Sequence, residues 1–145
     1  MDMIQRRIKV FEFVLFQKIF LWRKKDMTEP MLIQLEEAGN YIPGLLKRFA
    51  GNEAICVKLV KKFPGDENYA NYLEEIKVQN YRDAEQSVHT LKGVASNLGL
   101  TKVADVTQLI VDEIRGERDY EKIEGWNKEL IQLYEETVDI INKNM

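Results

Sequence analysis

The sequence predicts an all-α protein, an antiparallel four-helix bundle with additional N-terminal helices. Three observations carry this. Apolar residues recur at three- and four-residue spacing almost throughout, and no Asn-Gly or Asp-Gly dipeptide joins two β-branched runs. Pro and Gly cut the periodic stretches into helix-length pieces with short links, the pattern of antiparallel neighbours. The chain has 145 residues and 45% hydrophobic content, enough for one core without metal or disulfide staples.

Residues 1–26 read as an amphipathic, basic helical extension. Ile4, Ile8, Phe11, Leu15, Ile19 and Trp22 share one helical face, and Phe13, Phe16 and Phe20 widen it. Glu12, Gln17 and Lys18 interrupt the run, whereas a membrane span needs about 20 predominantly apolar residues. The broken apolar core and the lack of a small-residue cleavage site also argue against a signal peptide. Three readings stay open: a helix packing on the bundle or on a second copy of the protein, an amphipathic helix on an anionic membrane, or a poorly chosen start upstream of Met27. Packing or self-association is favoured over membrane contact.

The bundle domain is expected over residues 27–145. A short helix runs from Met31 to Glu37, and Pro43-Gly44 read as a turn. From Asn52, an N-cap, a helix turns Ile55, Cys56, Leu59, Val60 and Phe63 inward until Pro64-Gly65 stops it. Asp66 caps a short helix carrying Tyr69, Tyr72, Leu73 and Ile76. The next helix runs from about Tyr81 to Gly99, whose missing Cβ suits a left-handed C′ position. Thr101 reads as the N-cap of a helix presenting Val103, Val106, Leu109, Ile110 and Ile114, ended by Gly116. The last helix, from about Asp119 to Lys143, places Trp126, Leu130, Leu133, Tyr134, Thr137 and Ile141 on one stripe.

Charge and cysteine content exclude several functions. Residues 1–25 hold seven Lys or Arg against two acidic residues, a balance of +5; since the whole chain carries −3, the remainder carries −8. An acidic body does not suit nucleic acid, which is bound through clustered cations. The single Cys56 has neither a disulfide partner nor Cys or His neighbours at metal-ligand spacing, so no metal site is expected. It reads as a small buried hydrophobe in a reducing, cytoplasmic protein. No cofactor-binding loop of the glycine-rich kinds is present, and Glu74 and Glu75 read as solvated surface.

The chemistry points to one helix. The only histidine lies in Val88-His89-Thr90-Leu91-Lys92-Gly93-Val94-Ala95-Ser96-Asn97-Leu98-Gly99. At about 100° per residue with His89 as zero, Lys92 falls near −60°, Gly93 near +40°, Ser96 near −20°, Glu85 near −40° and Gln86 near +60°. Leu91, Val94, Ala95 and Leu98 fall on the opposite side, so His89 is predicted to face solvent. An exposed imidazole is largely neutral at cytoplasmic pH, and its ring nitrogen can attack phosphorus. Lys92 can offset the charge of a phosphoryl group on that nitrogen. A mid-helix glycine costs about 1 kcal/mol relative to Ala, and Gly93 has no packing reason on this face. It clears the approach to the imidazole for another protein's active site. Glu85, Gln86 and Ser96 complete the docking face. Taken singly, each feature has a plain reading as solvated helix surface; their combination on one narrow face favours chemistry.

His89-Thr90-Leu91-Lys92-Gly93 with Asn97-Leu98-Gly99 resembles the H-x-L-K-G-x5-G signature of histidine-containing phosphotransfer (HPt) domains. Similarity extends over roughly residues 31 to 143, with Leu46-Lys47-Arg48-Phe49-Ala50-Gly51-Asn52-Glu53 resembling the family's upstream helix pair. Val94 departs from the pattern, being bulkier than the residue often found there, and its inward direction makes this a matter of packing. The resemblance implies an HPt-like bundle with His89 as phosphoacceptor, Lys92 as its charge partner and Gly93 as the access position. It also implies a phosphoryl carrier rather than an enzyme, whose partners are response-regulator receiver domains and a sensor or hybrid histidine kinase; the receiver supplies Mg²⁺ and the aspartate.

Two other readings compete. In one, the protein is a helical scaffold or interaction module whose His89 is never phosphorylated. In the other, it is the dimerisation and phosphoacceptor region of a sensor kinase. That family usually follows its histidine with an acidic residue and soon a proline, whereas Thr90 follows here and no proline appears after Pro64. A metal-dependent or hydrolytic enzyme is the weakest option, without a second histidine or an identifiable nucleophile and base pair.

Overall fold

Several helix starts in this chain are set by side chains that replace the partners missing from the first turn. Asn52 accepts a hydrogen bond from the backbone N–H of Ile55, and Asp119 accepts from those of Glu121 and Lys122, each opening a helix at the next residue. Pro30 opens another helix from its first turn, where a proline's missing N–H is harmless. In the computed structural model, which describes residues 27–145, these starts yield α1 (Pro30–Glu37), α2 (Ile42–Arg48), α3 (Glu53–Val60), α4 (Asn68–Lys77), α5 (Tyr81–Asn97), α6 (Thr101–Arg115) and α7 (Tyr120–Lys143). A 3-10 turn at Phe63–Gly65 separates α3 from α4. The expected extension over residues 1–26 lies outside the described residues.

α4 to α7 form the four-helix bundle. Its core is a single cluster in which Tyr72, Leu91, Ile110, Ile114, Ile123 and Leu130 are fully buried. Burying a side chain of this size contributes roughly 1.5–3 kcal/mol. α4 and α7 meet through rings and an amide: Tyr69 stacks on Tyr134 with centroids 3.6 Å apart, and the Tyr72 hydroxyl donates to Asn127 Oδ1. The two buried threonine hydroxyls, Thr107 and Thr137, turn back to donate to the carbonyls of Val103 and Leu133.

The short helices α1 to α3 share the bundle's core through Leu32, Leu35, Ile42, Leu45, Cys56 and Val60, and individual polar groups tie their ends. Glu53 accepts from Thr28 N, Thr28 Oγ1 and Glu29 N, so the first turn of α3 holds the entry to α1. Partial burial pushes the Glu53 carboxyl up, but these hydrogen bonds together outweigh it and hold the group below its ordinary value. Asn40, nearly buried, donates to Leu35 O and accepts from Lys102 N. A side chain 62 residues upstream thus caps the first turn of α6.

Several expectations need correction. Pro43-Gly44 lie within the first turn of α2 instead of forming a loop, because proline is tolerated there. Thr101 is the first residue of α6 and not its cap; its hydroxyl accepts from Tyr41 N. Asp66 supports the start of α4 one residue ahead of the cap position, accepting from Asn68 N. Ile55 and Leu109, expected to face inward, are 42% and 45% exposed, since each lies at the edge of its helix's buried arc. Among the described residues, no helix is long and apolar enough to cross a membrane.

Candidate functional site

α5 is held at both ends and on both flanks. Asn80 caps its start by accepting from Asp83 N. Its end is a Schellman motif: Leu100 N donates to Ala95 O, Gly99 N donates to Ser96 O, and Gly99 takes a φ of +70°. A Cβ on Gly99 would come within 3.0 Å of Tyr41 O and 3.3 Å of Leu45 Cβ, so glycine is required there by contact as well as by conformation. Arg48 of α2 donates from Nη1 to Asn97 O (3.1 Å) and Asn97 Oδ1 (2.9 Å), placing a cation at the carbonyl end of α5.

On the α4 flank, the buried Ser87 hydroxyl donates to the Glu75 carboxylate at 3.1 and 2.9 Å. Glu75 is therefore an interhelix acceptor rather than solvated surface. On the α6 flank, Lys92 Nζ donates to Gln108 Oε1 (2.7 Å), and Arg115 Nε donates to Glu85 Oε1 (2.6 Å). The two pairs are placed symmetrically about Leu100, eight and fifteen residues to either side, as antiparallel helices joined by a tight hairpin require.

Between these ties the outer face of α5 stays open. His89, Gln86 and Ser96 are exposed, and Glu85, Lys92 and Gly93 are partly so. Among the described residues no side chain hydrogen-bonds to the His89 ring. A Cβ built on Gly93 would meet nothing within 4 Å, so close helix packing does not account for this glycine among the described residues. Val88, Leu91 and Ala95 point into the core from the other side. The six residues singled out in the sequence thus share one side of α5. What they can do follows from reach: a protein surface can approach the imidazole over Gly93, with an ammonium one turn away.

The residues that sequence reasoning missed lie on other helices: Gln108, Asp112 and Arg115 on α6, Arg48 on α2 and Glu75 on α4. The hairpin symmetry about Leu100 was the available signal for Gln108 and Arg115. Among the described residues, no group of three His, Cys, Asp or Glu side chains is placed to hold a metal ion. Cys56 is a buried free thiol, pushed up chiefly by burial and also by the nearby Glu53 carboxylate.

A family model described as Hpt domain matches residues 66–137, from the aspartate at the start of α4 to Thr137 in α7. No curated protein and no solved structure matches the chain significantly.

Proposed function

Residues 66–137 belong to the Hpt domain family, a family of phosphocarrier modules, and from that membership we propose that His89 accepts a phosphoryl group from a receiver-domain aspartate or a kinase and passes it to a response regulator. The observation that carries this reading is the position of the chain's only histidine: exposed, inside the matched segment, one turn from Lys92 and beside the open space at Gly93. In the transfer step the lone-pair nitrogen of the neutral ring bonds to phosphorus. The P–O bond of the partner's acyl phosphate breaks, and its electron pair remains on the partner carboxylate. The other ring nitrogen can release its proton to solvent and takes one back before the next aspartate attacks phosphorus, so that the P–N bond breaks with its electron pair returning to the ring, which leaves as neutral imidazole.

This chain contributes the nucleophile and the Lys92 ammonium, which offsets charge gathering on the phosphoryl oxygens. Glu85, Gln86, Gly93 and Ser96 form the docking face. The partners are a response-regulator receiver domain and a sensor or hybrid histidine kinase, in the cytoplasm. The test is transfer from a phosphorylated receiver domain to purified wild type and to His89→Gln, following acid-labile label. Wild type should acquire label and the variant none. Absence of label in wild type, under conditions where a known HPt protein is labelled, would leave the face around His89 as a binding surface only.

A further inference from the structure

Lys92 is not free to sweep the surface around His89. Its ammonium donates to Gln108 Oε1 (2.7 Å), and the same amide donates from Nε2 to Asp112 Oδ1 (2.8 Å). Gln108 therefore stands between a cation on α5 and a carboxylate on α6. The hairpin symmetry about Leu100 sets His89 level with Val111, which is fully buried, while the next residue, Asp112, is exposed. A carboxylate thus lies along the α5–α6 groove near the height of the imidazole, one amide away from the lysine.

We propose that Gln108 is a positioning residue for Lys92, a neutral spacer that holds the ammonium beside His89 and keeps it from pairing with Asp112. This rests on the phosphotransfer reading of His89. The reason is a ranking of acceptors. The amide oxygen of Gln108 carries no net charge, so an ammonium bonded to it keeps its full charge, whereas a carboxylate acceptor adds ion-pair attraction and cancels that charge. Held by the amide, the ammonium can move to the stronger phosphoryl oxygens when they arrive. Held by Asp112, it would already be neutralised, and a second negative charge would be drawn toward the phosphoryl group. The bond from Gln108 Nε2 to Asp112 serves the same end, because it satisfies the carboxylate and fixes which end of the amide faces the lysine.

The experiment measures the rate of transfer from a phosphorylated receiver domain to the full chain in five forms: wild type, Gln108→Ala, Gln108→Ala with Asp112→Asn, Lys92→Ala, and Lys92→Ala with Gln108→Ala. Gln108→Ala should slow transfer about threefold, within what an exposed ion pair can impose. Adding Asp112→Asn should recover most of that rate, which a merely structural role for Gln108 would not do. In the Lys92→Ala background, Gln108→Ala should have no further effect. A wild-type rate in Gln108→Ala, no recovery with Asp112→Asn, or an equal slowing without Lys92 would each overturn the spacer role while leaving the phosphotransfer reading intact. Failure of wild type to take label from either the receiver or phosphoramidate would instead remove that reading, and the spacer role with it.

Discussion

On the α5–α6 side of the bundle, side chains meet through charges and amides at the surface: Lys92 with Gln108, Gln108 with Asp112, Glu85 with Arg115. On the α4–α7 side they meet through rings, with Tyr69 stacked on Tyr134, Phe63 tilted against Tyr134 at 5.3 Å, and Tyr72 wholly buried. The ring seam buries large area and has few ways to rearrange. The polar groove keeps its groups near water, where each pair is worth little and can be exchanged for a visitor. Stability and chemistry are thereby separated. The two faces should respond differently to substitution, and the predictions below are ordered by the size of that difference.

The largest effect belongs to the seam. Tyr72 is fully buried and its hydroxyl donates to Asn127 Oδ1, so Tyr72→Ala removes both a ring and a satisfied polar contact. Truncation of a buried aromatic costs about 3–5 kcal/mol, a large share of the stability of a domain this size. Denaturant unfolding should show that loss, whereas His89→Gln should unfold close to wild type. Comparable destabilisation by His89→Gln would break the separation, because it would place the histidine in the structural core.

Gly93 sharpens the contrast from the other side. Since a Cβ there meets open space, Gly93→Ala should stabilise the fold by roughly 0.5–1 kcal/mol through helix propensity alone. A bulky residue at the same position, Gly93→Trp, should slow transfer from a receiver domain far more than labelling by phosphoramidate, because only the protein donor has to close over the imidazole. Equal slowing with both donors would mean that Gly93 acts on the ring itself rather than on access.

The face carrying His89, Lys92, Gly93 and Ser96 was legible because all four lie on one helix, where spacing alone fixes direction. Asn52, Gly99 and Asp119 were legible for a similar reason: each ends or opens a helix through bonds to residues a few positions away. Misreadings arose where the partner is distant or the local signal has two meanings. Thr101 looked like a cap, but Asn40 supplies that bond from another segment. Pro43 marks a turn or a helix's first turn equally well, and only tertiary packing decides between them. Gln108 and Asp112 required the register of two helices, which a wheel drawn for one helix does not contain.

The smallest effect is one of alkaline pH, and it separates the two faces without any substitution. Tyr69 is pushed up to about 12, first by burial and then by the Glu135 carboxylate and Tyr134. Tyr134 is also raised, by burial and by Asp66, and burial raises Tyr72 further, against the opposing hydrogen bond to Asn127. In the unfolded chain a tyrosine loses its proton near pH ~10. Between that pH and about 12 the unfolded chain therefore binds fewer protons at Tyr69 than the folded one, and linkage makes stability fall as pH rises through this window. Below it, both states are protonated and the contribution is fully present. Unfolding curves at stepped alkaline pH should show this decline, accompanied by delayed tyrosinate absorbance in the folded protein. Tyr69→Phe should remove part of the slope. A slope unchanged by Tyr69→Phe would mean that Tyr69 does not contribute to the alkaline loss of stability, and only the same result with Tyr72→Phe and Tyr134→Phe would remove the seam as its basis.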